Sequence, residues 1–488
     1  MRTLRALALF LWIFAVITII SAAQSESDPR EVVQAGEILE KIERGEPVNY
    51  DHKIIEGDIN IGNLKLPEVR RSPDEIEYLG LLNSLKVVRS PLVLDGCLIK
   101  GDLNFSNARI LGPASFAGSI VITEANFRGS QFDQSVDFSM SRFNKSAYFR
   151  RSQFNQSANF KGSRFNQSVD FSMSRFNQSV DFSWSQFNQL ADFGKSQFNQ
   201  SVDFSMSRFN QFANFEGSRF NQSVDFSWSR FNQSVDFERS QFNRHADFRL
   251  SRFKRFADFT GSQFQKDALF GRSYLKSADF NQTTFSGDIS FEGSQIDSLN
   301  LTRAEFGKIF FRWKSIGHLA YDETAYLLLM GNFKNLNFLD DANECYYDYR
   351  NDRRATLSWY YRPVDYALML FYGYGVKPDR PVLWSLIFMA FFAALFWWRQ
   401  GILPVREGEP EEEANCFSLL EAVAFSAMTF LSGGKLVFDP PEYRIASGRP
   451  WRDVQISKAL FILERLLGMV LIIMFAIAVG KTIILGGG

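Results

Sequence analysis

The side chains from which this 488-residue chain could build chemistry are few. Its only histidines are His52, His245 and His318, and its only cysteines are Cys97, Cys345 and Cys416. They lie far apart, and neither their spacing nor any His–Cys proximity suits a zinc site, a disulfide framework or a nucleophile–base pair. No enzyme activity, metal or cofactor is expected from them. A different chemistry is offered near the C-terminus by Thr429-Phe430-Leu431-Ser432-Gly433-Gly434. Glycines free the backbone so that its carbonyls can turn toward a path, and the two hydroxyls add oxygen ligands beside them. That is a donor set for passing ions rather than for catalysis, and Lys435 just beyond it would weaken any preference for cations.

The elements that would carry this segment begin with a repeat. Phe accounts for 52 residues, and from Phe127 to Phe270 it recurs at alternating steps of five and six. The typical unit is Phe165-Asn-Gln-Ser-Val-Asp-Phe171-Ser-Met-Ser-Arg. Upstream, Val121, Phe116, Ile110, Phe105, Ile99 and Leu94 hold the same phase; downstream, Leu275 to Phe306 continue it in mostly five-residue steps. Two residues before every second Phe stands a small apolar residue, as at Val136, Ala147, Ala158 and Val169. Neither a heptad nor a 3.6-residue period gives this alternation. A four-sided coil with one large inward residue per side does. At about 22 residues per coil and about 4.8 Å between coils, residues 94–306 would make about ten coils and a rod of about 45–50 Å.

The tandem A(D/N)F-x-x-S-x-F pattern resembles the pentapeptide-repeat family in a Phe-rich variant. The resemblance implies a β-solenoid, the right-handed quadrilateral β-helix of that family, here followed by an α-helical membrane domain. The family's best-known activity is mimicry of DNA, which needs an acidic rod. Here 54 Lys+Arg balance 54 Asp+Glu, and Asp170 or Asp181 precede one set of Phe while Arg164 or Arg175 precede the other. A nucleic-acid partner is therefore not expected, and the charged rows read as balanced solvated faces or as the docking stripes of a partner. Asn-Gln-Ser recurs at Asn155, Asn166, Asn177, Asn199, Asn221 and Asn232. Each is a glycosylation sequon on an exported rod, or simply a turn residue.

The flanks point to a membrane. Arg2 and Arg5, an apolar run from Ala6 to Ile20 and then Ser21-Ala22-Ala23 read as a signal peptide or N-terminal anchor over residues 1–23. Residues 24–93 would cap the rod, with an amphipathic helix from Val32 to Ile42 and an irregular coil at 54–61. Residues 307–380 read as a helical linker, with helices from Glu323 to Met330 and from Asp340 to Arg354, capped at Asp322 and Asp340. Tyr346, Tyr347, Tyr349, Trp359, Tyr360 and Tyr361 suit either an interfacial belt or a helix–helix core. Residues 381–488 form the membrane domain, with spans at about 382–398 and 459–485.

Between those spans, residues 417–434 make an apolar segment ending in the Thr/Ser/Gly sequence. Span, short helix, Gly-rich chain and span resemble a two-helix pore-loop ion channel. Thr-x-Gly-Tyr-Gly is absent from it, and Tyr372-Gly-Tyr-Gly375 precedes the first span and is no filter. An exported rod would place the 399–458 loop in the cytoplasm, the inverted arrangement of glutamate-receptor-like channels. The expected function is an oligomeric, weakly cation-selective channel in the cell membrane, of about four copies, coupled to an extracytoplasmic rod. The alternative is a structural or interaction surface protein whose C-terminal helices only anchor it. The partners are then the lipid bilayer, further copies of the chain and, for a channel, ions.

Overall fold

The computed structural model describes residues 30–71, 83–405, 418–433, 439–446 and 449–484. It divides into a β unit ending with residues 305–310 and a helical unit made chiefly of residues 311–488. The expected signal or anchor at 1–23 lies outside the described residues.

The β unit is a solenoid of about 13 turns. One coil shows the logic: Gln153–Phe154, Ala158–Asn159, Arg164–Phe165 and Val169–Asp170 are four two-residue strands. Stacked on their equivalents, they form a first face (the 11-stranded sheet), a second face (the 12-stranded sheet), and third and fourth faces that share a 21-stranded sheet. All strands in the repeat pair in parallel, and residues 22 apart face each other, as Phe143 faces Phe165 and Phe165 faces Phe187. The Phe positions fall on four columns rather than one per side. On the first and third faces the inward strand residue is Phe. On the second and fourth it is a small Ala or Val, and the Phe follows at the corner. Alternation of small and large residues thus lets two corner columns meet in the middle of the coil.

Within a column the rings are parallel, with Phe204 stacked 4.9 Å from both Phe182 and Phe226. Between corner columns they meet edge to face, as Phe182 meets Phe193 at 5.3 Å. Both are favourable quadrupole geometries, and these rings are fully buried.

Two further ladders were not evident from the Phe period. The serine three residues after each corner Phe is buried, and from Ser152 to Ser240 its hydroxyl donates to a Phe carbonyl of the preceding coil, as Ser207 Oγ does to Phe182 O at 2.7 Å. It is a second donor to that carbonyl, which also accepts from Ser185 N at 3.2 Å. The corner asparagines form amide ladders: Asn177 Nδ2 donates to Asn155 Oδ1 and Asn199 Nδ2 to Asn177 Oδ1, each at 2.9 Å. The nitrogen that a glycan would modify is thus occupied along the ladder, which favours the turn role for these sequons.

The coils extend upstream of Leu94. Val32–Gln34 pairs with Ile54–Glu56, which pairs with Leu98–Ile99. The amphipathic helix α1 spans Ala35–Arg44 and buries Ala35, Ile38 and Ile42, so the segment from Val32 starts as strand, not helix. That stacking is why the turn count exceeds the expected ten. Downstream, the five-residue steps appear as 21-residue coils, Gln263 facing Thr284, after a register shift between Phe253 and Phe256.

In the helical unit, α2 (Glu323–Asn335) packs on α3 (Leu339–Arg353). Asp322 caps α2, its carboxylate accepting from Ala325 N at 2.8 Å. Asp340 is not a cap: α3 begins one residue earlier, and Asp340 sits in its first turn. After α4 (Arg362–Ala367) come two long helices, α5 (Asp379–Arg399) and α7 (Trp451–Ile484), with α6 (Leu419–Leu431) between them in sequence. Each of these three packs against the other two. Asp379–Arg399 and Trp451–Gly480 are long and apolar enough to cross a membrane.

Candidate functional site

The α6 segment holds the residues singled out for an ion path. Its N-terminus is fixed by a capping box: Ser418 Oγ accepts from Glu421 N, and the Glu421 carboxylate accepts from Ser418 N at 2.8 Å. One face, with Ala422, Phe425, Ser426, Thr429 and Phe430, is buried against α5 and α7. Phe396, Phe425 and Phe461 form the middle of that core. The opposite face, with Leu420, Val423 and Met428, is exposed and wholly apolar.

The Thr/Ser/Gly residues lie close together, but several turn inward. Thr429 is buried and its hydroxyl donates to Phe425 O at 2.7 Å; Ser432 is buried and donates to Thr429 O at 2.7 Å. Phe430 is buried too, whereas Leu431 is exposed. Gly433 lies against α7, where a Cβ would collide with the backbone of Met469 and Arg465. Gly468 repeats this from the other side, its Cα facing the backbone of Phe430. Two glycines thus allow α6 and the chain after it to approach α7 at backbone distance. Gly434 and Lys435 lie outside the described residues.

The residue that the sequence left unassigned is Glu464. Because α7 starts at Trp451, Glu464 sits well inside the helix rather than near its start. Its side chain is completely buried, with Oε1 against the Ser426 hydroxyl and Oε2 without a hydrogen-bond partner among the described residues. Ser426 Oγ also lies 2.8 Å from Met389 O of α5. One carboxyl, one hydroxyl and one carbonyl therefore meet where the three helices cross. The signal for it was an acidic residue inside an otherwise apolar run.

Outside the candidate spans, Asp365 gathers a second polar cluster. It accepts from Arg354 Nε at 2.7 Å, Tyr374 OH at 2.7 Å and Arg350 Nη2 at 3.0 Å. Burial alone would raise its carboxyl, but these donors hold it below the ordinary value. Tyr374 belongs to the Tyr372–Gly375 sequence, and the left-handed Gly373, Tyr374 and Gly375 make it a turn. The aromatic cluster divides: Tyr349 is buried with its hydroxyl donating to Glu323, while Trp359, Tyr360 and Tyr361 are exposed.

The isolated groups stay isolated. His52 and His245 are exposed, each near one aspartate. Cys97 and Cys345 are buried, and burial pushes both thiols up; Cys416 lies outside the described residues. Residues 94–139, 127–172, 140–183, 160–205 and 185–230 match the family described as pentapeptide repeats (9 copies). Those matches fall within the solenoid, which is of pentapeptide-repeat type. No curated protein matches the chain.

Proposed function

We propose that this is an integral membrane protein in which a pentapeptide-repeat rod is joined to an oligomeric, weakly cation-selective pore, and that it is not an enzyme. The observation that carries this is Glu464. An ionisable side chain inside an apolar helix is costly to keep and is usually retained for an ion or proton path. Here it lies beside the hydroxyl of a short helix packed between two span-length helices. The membrane itself is supported by the outer faces of α5 and α7. Leu383, Leu386, Phe391, Ile462, Leu466 and Val470 are exposed, where a soluble three-helix bundle would carry polar residues. The rod is placed outside the cytoplasm on the N-terminal signal alone.

One observation favours the anchor instead: the Thr429 and Ser432 hydroxyls are consumed within α6, and the free face of that helix is apolar. Purified full-length protein in planar bilayers separates the two. A channel gives unitary currents, and Glu464→Gln lowers its cation preference while membrane insertion persists. Silent bilayers leave the anchor, whereas currents whose reversal potential is unchanged by Glu464→Gln keep the pore and remove Glu464 from its path. Gly433→Val is a poorer probe, since its side chain would force α6 from α7 whether or not a pore exists.

A further inference from the structure

The net charge of zero hides a segregated surface on the rod. In the six coils from Met140 to Phe256, the third face and its two corners carry Arg142, Lys145, Arg164, Arg208, Arg230, Arg252, Lys254 and Arg255, and not one Asp or Glu. These arginines stack in register, Arg142 on Arg164 and Arg208 on Arg230 on Arg252. Among the described residues none of the five has an acidic partner. The adjacent second face carries the opposite row, Asp181, Asp203, Asp225 and Asp247, also in register. Between residues 177 and 227 that face and its turns contain no Lys or Arg. Like charges directly opposite on paired strands disfavour the pairing, so each row is stacked against its own interest.

The corner between these two faces adds a separate observation. Its left-handed position is held by Met140, Trp184, Met206, Trp228 and Leu250, all with positive φ. Met140 is 71%, Trp184 58% and Trp228 53% exposed. Gly118, Gly162 and Gly293 occupy the same corner in other coils, so the backbone does not demand bulk there. At the diagonally opposite corner the equivalent positions are mostly Gly, Arg and Lys, as at Gly129, Arg151, Lys195, Gly217 and Arg239. A strained, exposed apolar ridge at this corner and none at the one diagonally opposite marks a surface that is covered.

We infer that the rod assembles side by side with three further copies of itself, the Arg face of each against the Asp face of the next. The occupant is specified by periodicity: a second copy alone carries an Asp row of the same stride as the Arg row. With no axial offset, Arg208 faces the next copy's Asp203, Arg230 its Asp225 and Arg252 its Asp247; Arg142 faces Asp137, and no outward strand position is set against a like charge. The copy number follows from the shape. Neighbouring faces of a four-sided coil look about 90° apart, so bringing one against the other in parallel rods rotates each copy by about 90°, and four such contacts close a ring. In that ring the shared corner points to the axis, which buries the Met/Trp ridge of all four copies together. This deepens the oligomer in the pore proposal and rests on that reading only for its biological setting, because the faces belong to the rod.

The test uses full-length protein in detergent with one cysteine on each of the two faces, at the exposed Ser179 (Ser179→Cys) and the half-buried Gln186 (Gln186→Cys). When chains carrying one substitution each are mixed, a short bifunctional thiol reagent should link only unlike chains. The doubly substituted chain should give a ladder ending at four copies. Arg208→Asp with Arg230→Asp, both on exposed side chains, should abolish the ladder, and the unchanged β circular dichroism should show that the rod is intact. Links between like chains, a ladder that runs past four or stops at two, or a ladder insensitive to the charge reversal would each overturn the arrangement. Conductance is measured separately. An intact ladder without current removes the pore and keeps the rod assembly, whereas current without a ladder does the reverse.

Discussion

Replacing Phe204 by Ala removes a ring that is completely buried, stacked on Phe182 and Phe226 at 4.9 Å each, and set edge to face against Phe193 at 5.2 Å. Large-to-small changes at such sites cost about 3–5 kcal/mol, the transfer energy plus a cavity that rigid neighbours cannot fill. In a solenoid each coil touches only its neighbours, so the loss is confined to a few coils rather than spread through the rod. Hydrogen exchange reads this directly. The Phe204 amide donates to Asp225 O and the Phe182 amide to Asp203 O, each at 2.7 Å. Their exchange proceeds by local opening, and at tenfold per about 1.4 kcal/mol the variant should exchange roughly a hundred- to several-thousand-fold faster there. The coils near Phe116 and Phe280 should be unaffected. Arg219→Ala, on an exposed side chain of the first face, is the control and should change exchange by less than about threefold, in keeping with effects of about 0.5 kcal/mol at exposed positions. Equal acceleration in the two variants, or acceleration uniform along the rod, would refute both the inward aromatic stacking and the nearest-neighbour account of its stability.

Ser207→Ala should destabilise the same coils by about 0.5–1.5 kcal/mol, because it removes one of the two donors to the buried Phe182 carbonyl and leaves the Ser185 amide on it; Ser207→Thr, which keeps the donor, should exchange more slowly than the alanine variant. Asp365→Asn leaves the nearly buried Arg354 without its carboxylate and should cost about 3–5 kcal/mol in the helical unit, read as a lower melting temperature of the protein in detergent. Because its carboxyl is held below the ordinary value in the folded state, its stabilisation is complete above that value and disappears as pH falls below about 4; the variant should lack this acid-side loss. Gly468→Ala should weaken the α6–α7 contact, since a methyl group there meets Phe430 O, and should raise exchange in α6 while leaving the rod unchanged.

The rod was legible because its signal is redundant. Alternating five- and six-residue Phe steps have one geometric solution, and the drift to five-residue steps after Phe270 reappears as the 21-residue coils. The upstream coils were less so, since Ile54-Ile-Glu-Gly-Asp-Ile-Asn-Ile61 lacks Phe and α1 interrupts the stacking. Local sequence also placed the first long helix and the Asp322 cap. It could not place Glu464, because a helix beginning at Trp451 rather than Ala459 moves that residue from an end to the interior. Nor could it orient Thr429 and Ser432. Which way a short apolar helix turns depends on neighbours far away in sequence, here Met469 and Arg465.

That orientation changes what a pore would have to be. With Thr429, Ser432 and Gly433 committed to packing inside the protomer, they can meet a path only if α6 rotates or withdraws from α7. The glycine contacts at Gly433 and Gly468 hold it in place at backbone distance, and the Glu464–Ser426 contact ties the same two helices one turn away. For the proposed pore this arrangement would be the closed state: an apolar outer face on α6, its hydroxyls turned inward, and the buried Glu464 carboxyl at the junction that would have to separate. Opening by separation of α6 from α7 would expose Glu464 and the hydroxyls together. A pore formed this way should carry current more readily when Ser426→Ala removes the tie, whereas a preformed path along Thr429 to Gly434 should be indifferent to it. Open probability of Ser426→Ala in planar bilayers, compared with the parent protein, decides between these two, and an unchanged value would exclude α6 movement as the gate.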